Sequence, residues 1–83
     1  VNLTLYPNPA IDNVQLLVST GEAGSASTQV INSVGQVVMS NPNQTLVKGD
    51  NTLTINVQQL PKGLYFVNVT IDGKTISKKL TVN

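Results

Sequence analysis

The sequence predicts an all-β domain, a β-sandwich of seven or eight short antiparallel strands. Two of its features carry that prediction. Twelve valines and nine threonines stand among the 83 residues, and β-branched side chains fit a pleated, half-buried surface. Apolar and polar residues also alternate with period two in several short runs separated by turn formers. Helix formers are scarce, with no arginine, one glutamate and one methionine.

The elements follow in order. Val1, Leu3 and Leu5 alternate with Asn2 and Thr4 as a first strand with one buried face. The stretch LYPNPA follows at residues 5–10 and holds half of the four prolines. Pro7 and Pro9 fix their own φ and hold Tyr6 and Asn8 extended, so a stiff corner leaves the first strand. Val14, Leu16 and Val18 mark the second strand. The run STGEAGSAST at 19–28 has the composition of a mobile surface loop that takes in, at most, the start of the next strand. Val30 and Ile31 belong to a third strand, and Asn32-Ser33-Val34-Gly35 has the residue order of a type I turn. Gln36–Ser40 returns as a fourth strand. Asn41-Pro42-Asn43 is expected to break it, leaving Thr45–Lys48 as a short strand of its own. Lys48-Gly49-Asp50-Asn51 reads as a turn, and Leu53, Ile55 and Val57 alternate in the strand after it. Leu60-Pro61-Lys62-Gly63 is a tight corner before the longest clean strand, Leu64–Ile71. Asp72-Gly73 is a two-residue hairpin loop of the type I′ kind, and Lys74–Val82 is the last strand.

That loop fixes a register. It pairs Ile71 with Lys74, Val69 with Ile76, Val67 with Lys78 and Tyr65 with Leu80. Lys78 then shares a mostly apolar face with Tyr65, Val67, Ile76, Leu80 and Val82, while Lys79 joins Phe66 on the other. A buried ammonium is costly unless its head reaches water. Three resolutions stand open: Lys78 snorkels at the rim, a bulge shifts the register, or a partner supplies acceptors.

Charge and residue inventory exclude whole classes of function. Lysines 48, 62, 74, 78 and 79 oppose Asp12, Glu22, Asp50 and Asp72, for a net charge of +1. No clustered cations are present to hold nucleic acid. The chain has no histidine and no cysteine, which removes the common general base and the thiol nucleophile, disulfides and thiolate metal sites. The acids are scattered through separate turns, where aspartate is ordinarily a turn former, so an enzyme, a cofactor and a metal centre are not expected. With no tryptophan in the chain, Phe66 is the best placed residue for an exposed apolar contact, and packing beneath a lysine stem is its ordinary alternative. Three asparagine glycosylation patterns occur, and ten asparagines make chance the better explanation. No apolar run is long enough to span a bilayer. The chain opens on Val1, and a single domain cut from a longer protein is the expectation.

Three segments taken in order resemble a known family. LYPNPA followed by VQLLV resembles the opening of the C-terminal sorting domain of the type IX (Por) secretion system. VINSVGQVV at 30–38 is similar to its central strand, turn and strand, and LPKGLYFVNV followed by SKKLTV to its closing hairpin, closest to the type A branch. The resemblance implies an Ig-like β-sandwich of about seven antiparallel strands and a non-catalytic address. Such a domain directs an N-terminal passenger of a Bacteroidota protein through the periplasm and across the outer membrane to the surface or the medium. It implies as partners the outer-membrane translocon, a shuttle barrel and a sortase-like peptidase that removes the domain, with the domain itself expected to be monomeric. By position, the motif residues are Pro7, Asn8, Pro9, Gly35, Gly63, Leu64 and Tyr65, with Lys78, Lys79, Leu80, Thr81 and Val82 in the terminal strand. Asp72 and Gly73 complete the structural set, and Phe66 joins the residues considered for partner recognition. For Lys78 and Lys79, pairing with acidic receptor groups and protection of an edge strand are weighed equally; Gly35 and Gly63 are expected to supply positive φ. The alternative function is an accessory Ig-like or carbohydrate-binding domain of a surface enzyme or adhesin.

Overall fold

A computed structural model of the chain describes residues 2–6 and 12–83. Seven strands run in order: β1 Asn2–Tyr6, β2 Asn13–Thr20, β3 Gly24–Asn32, β4 Val37–Leu46, β5 Gly49–Asn56, β6 Gly63–Ile71 and β7 Lys74–Val82. They form a three-stranded sheet, β1-β2-β5, and a four-stranded sheet, β4-β3-β6-β7. Every described strand pair is antiparallel. The allocation is that of an Ig-like sandwich in which the fourth strand lies beside the third. The proline corner at Pro7, Asn8 and Pro9 lies outside the described residues.

Period-two alternation places the core between the sheets. Val14, Leu16 and Val18 of β2 and Ile55 of β5 face Ala26 and Val30 of β3, Tyr65, Val67, Val69 and Ile71 of β6, and Leu80 and Val82 of β7, all buried. Leu46 of β4 and Val57 complete the cluster, with Leu3, Leu5, Met39, Leu53 and Leu60 packed against it.

The structure departs from the sequence expectation in three places. Residues 19–28 are mostly strand: β2 runs to Thr20 and β3 starts at Gly24, which leaves only 21–23 as the connection. The small residues of that run disguise a buried face made by Ala26 and Thr28. Pro42 does not end β4, which continues to Leu46 as a single strand. The strand sits at the edge of its sheet, and the register jumps there from Thr28↔Asn41 to Ala26↔Gln44. Proline is tolerated at such a bulged edge because no ladder donor is lost, and Asn43 takes φ +56° to make the bulge. The expected separate strand at Thr45–Lys48 is therefore absorbed into β4. Finally, the turn expected at 48–51 gives way to strand from Gly49 onward. Asn51 closes that connection with its side chain, accepting from Val47 N at 2.9 Å and donating to Val47 O at 2.9 Å.

Other local expectations hold. Asp72 and Gly73 both have positive φ, +51° and +79°, as a type I′ turn requires. The β6–β7 register runs from Ile71↔Lys74 to Gly63↔Val82 without a shift. Gly35 N donates to Asn32 O at 3.0 Å, and Asn32 Oδ1 accepts from Val34 N and Gln36 N at 3.1 and 2.9 Å. Gly35 and Gly63 have φ of +90° and +154°, values that L side chains rarely adopt.

Candidate docking end

The connections alternate between the two ends of the sandwich. One end collects the β3–β4 turn, the β5–β6 corner and the finish of β7; the other collects the β2–β3, β4–β5 and β6–β7 connections. Gly35, Gly63, Leu64, Tyr65 and the Lys79–Val82 half of the terminal strand, far apart in sequence, all gather at the first end, which we call the terminal end. Asp72 and Gly73 lie at the opposite one. Tyr6 and Asp12, the described residues flanking the proline corner, also belong to the terminal end, where Asp12 O accepts from Val57 N at 2.8 Å.

Tyr65 shapes this end. Its ring is buried, and its hydroxyl donates to Pro61 O four residues upstream. A tyrosine near the start of a strand, bonded back to the preceding corner, is a hallmark of such sandwiches. The sequence places Tyr65 in the core but does not reveal this bond. Its visible signal is a tyrosine two residues after the glycine of a proline-containing corner.

The β7 strand is one of the two outer strands of the four-stranded sheet. Its side chains divide into two jobs. Leu80 and Val82 are 0% and 3% exposed, so they anchor the strand and offer a partner no side-chain surface. Lys78 and Lys79 are exposed, and Thr81 is half-buried. Lys78 pairs in register with Val67, itself fully buried, and is nevertheless exposed. No bulge intervenes, so the long stem carries the ammonium out past the rim of the sandwich. That excludes the bulge and agrees with snorkelling.

Phe66 lies on the opposite, outward face, 38% exposed. Its register partners are Ile31 on β3 and Lys79 on β7, and Ile31 in turn pairs with Val37 on β4. A single row, Val37–Ile31–Phe66–Lys79, thus crosses all four strands. Leu64, 38% exposed, stands beside it on β6, and Val34, 77% exposed, on the adjoining turn. The next row along the same face is Ser40–Gln29–Asn68–Ser77, polar throughout, with Ser77 Oγ donating to Asn68 Oδ1. In the row beyond it, Thr70 and Thr75 share a hydrogen bond of 3.0 Å.

Also at the terminal end, an open groove of about 500 Å³ lies between the start of β4 and the β5–β6 corner, lined by Val38, Met39, Asn56, Gln58, Gln59 and Leu60. No charged group enters that lining. Among the described residues no cluster of potential metal ligands forms, and no helix is long and apolar enough to cross a membrane.

Motif residues far apart in sequence thus converge on one end of a two-sheet β-sandwich. The chain belongs to the family of secretion system C-terminal sorting domains, whose model matches residues 4–83. It carries a C-terminal sorting signal for type IX secretion, which implies engagement by that machinery and a secreted or cell-surface destination. The family is one of sorting signals rather than catalysts. No curated protein matches the chain.

Proposed function

We propose that the type IX outer-membrane translocon and shuttle barrel engage the terminal end of this sandwich, with Lys78 and Lys79 read as charges by acidic receptor groups. The passenger reaches the periplasm first, and the folded domain is presented to the outer membrane from within. A sortase-like peptidase then removes it, releasing or anchoring the passenger. The observation that carries this reading is the division of labour along β7. Buried Leu80 and Val82 fix the strand against the core, while the two adjacent lysines are held out in a register that does not shift over its nine pairs. Rigid presentation lowers the ordering cost of docking.

The test is a reporter fused ahead of residues 1–83 behind a signal peptide, in type IX-competent cells. Removal of Lys78–Asn83 is expected to retain the reporter in the periplasm. Because that deletion also strips Leu80 and Val82 from the core, the informative variant is the pair Lys78→Ala, Lys79→Ala. Retention of the reporter with an unchanged melting midpoint supports recognition of the charges. Undiminished export refutes it.

A further inference from the structure

The outward face of the four-stranded sheet changes character within one row. Ser40–Gln29–Asn68–Ser77 is polar throughout, and the neighbouring row offers Val37, Ile31 and Phe66 before ending on Lys79. An outward sheet face with no layer over it ordinarily alternates polar-out along its whole length. Val37 is 52% exposed and Phe66 38%, so the apolar row is not absorbed by the core. Among the described residues, six of the seven large exposed hydrophobic ones, Tyr6, Val34, Val37, Val38, Leu64 and Phe66, fall at the terminal end, and Val47 alone lies at the other.

Charge is sorted in the same direction. Lys62 and Lys79 lie towards the terminal end with Asp12 as the one carboxylate side chain there, while Lys78 stands midway along β7 on the other face. Glu22, Asp50 and Asp72 occupy the opposite end beside Lys48 and Lys74. An apolar patch bordered by cations fits an apolar surface bordered by carboxylates, because complementary charge steers and orients docking. Adsorption to anionic lipid calls for a denser cluster, about four to eight cations, and Lys62 and Lys79 fall short of it.

We propose that the row Val37–Ile31–Phe66–Lys79, widened by Leu64, is a second contact surface of the sorting domain, taking an apolar protein surface rimmed by carboxylates on the type IX machinery. It extends recognition from the terminal strand to three strands that the terminal residues do not include. It rests on the reading that the machinery engages the terminal end.

The experiment uses the same reporter fusion with three substitutions: Val37→Ser, Phe66→Ser and Lys62→Glu. Export is expected to fall about ten-fold or more for Phe66→Ser, as for an aromatic anchor of an interface, and to fall measurably for Val37→Ser and Lys62→Glu. Gln29→Ala, one row away, is expected to leave export unchanged. Val37 is more than half exposed, so its variant keeps the test valid should Phe66→Ser melt early; melting midpoints of the purified domains check this. Wild-type export from both Val37→Ser and Lys62→Glu overturns the proposal. If that occurs while the Lys78→Ala, Lys79→Ala pair still blocks export, recognition through the terminal strand survives and only the second surface is lost. Co-sedimentation of the purified domain with phosphatidylglycerol vesicles, abolished by Phe66→Ser, overturns the protein occupant in favour of a lipid.

Discussion

The two outer strands of the four-stranded sheet solve the same problem in opposite ways. Strand β4 is interrupted by two register shifts, a proline at position 42 and a non-glycine residue at φ +56°. Along its ten residues only Leu46 is buried. Strand β7 runs nine residues in unbroken register with β6 and buries Leu80 and Val82. Bulges and proline blunt an edge against unwanted pairing, and lysines do so without distorting it. The irregular edge is closed to strand addition by its backbone. The straight one carries Lys78 and Lys79 in an undistorted register with β6.

Stability should divide along the same line. The largest effect is expected for Leu80→Ala, a fully buried side chain on the straight edge, at about 3 kcal/mol of lost stability. Met39→Ala on β4, only partly buried, should cost less than half as much; thermal melts that give equal losses would break the contrast. Asn43→Val puts a β-branched residue at a left-handed position and is expected to cost about 1–2 kcal/mol. No loss on denaturant titration would mean that the β4 bulge is not a fixed feature. Tyr65→Phe removes the corner hydrogen bond next to β7 at about 1 kcal/mol, a fall in melting midpoint of about 4–8 °C. The smallest effect belongs to Lys78→Ala and Lys79→Ala, each within about 0.5 kcal/mol.

Much of the straight edge was legible in the sequence and little of the irregular one. Asp72-Gly73 dictates a two-residue loop, the loop dictates the register, and the register puts Lys78 opposite Val67. Each step is local. Pro42 misleads because its meaning depends on an edge position and a bulge, neither of which is written near it. Gly24–Thr28 misleads because Ala26 and Thr28 make a buried face without the large apolar residues that announce one. The Phe66 row is hidden for a different reason. Phe66 alone can be flagged from alternation, but Ile31 and Val37 join it only through pairings across three strands. The sorting role was legible only through likeness to a family, since recognition by an external machine leaves no catalytic residue set to read.

The central claim is that exposed charge on a rigidly held terminal strand is what the secretion machinery reads. Export of a reporter carrying residues 1–83 with Lys78→Ala and Lys79→Ala together, scored beside the melting midpoint of the same domain, tests it most directly. The account predicts a reporter trapped in the periplasm behind a domain that melts within a few degrees of its parent, about the shift of a surface substitution. Full export by that folded double variant would contradict it.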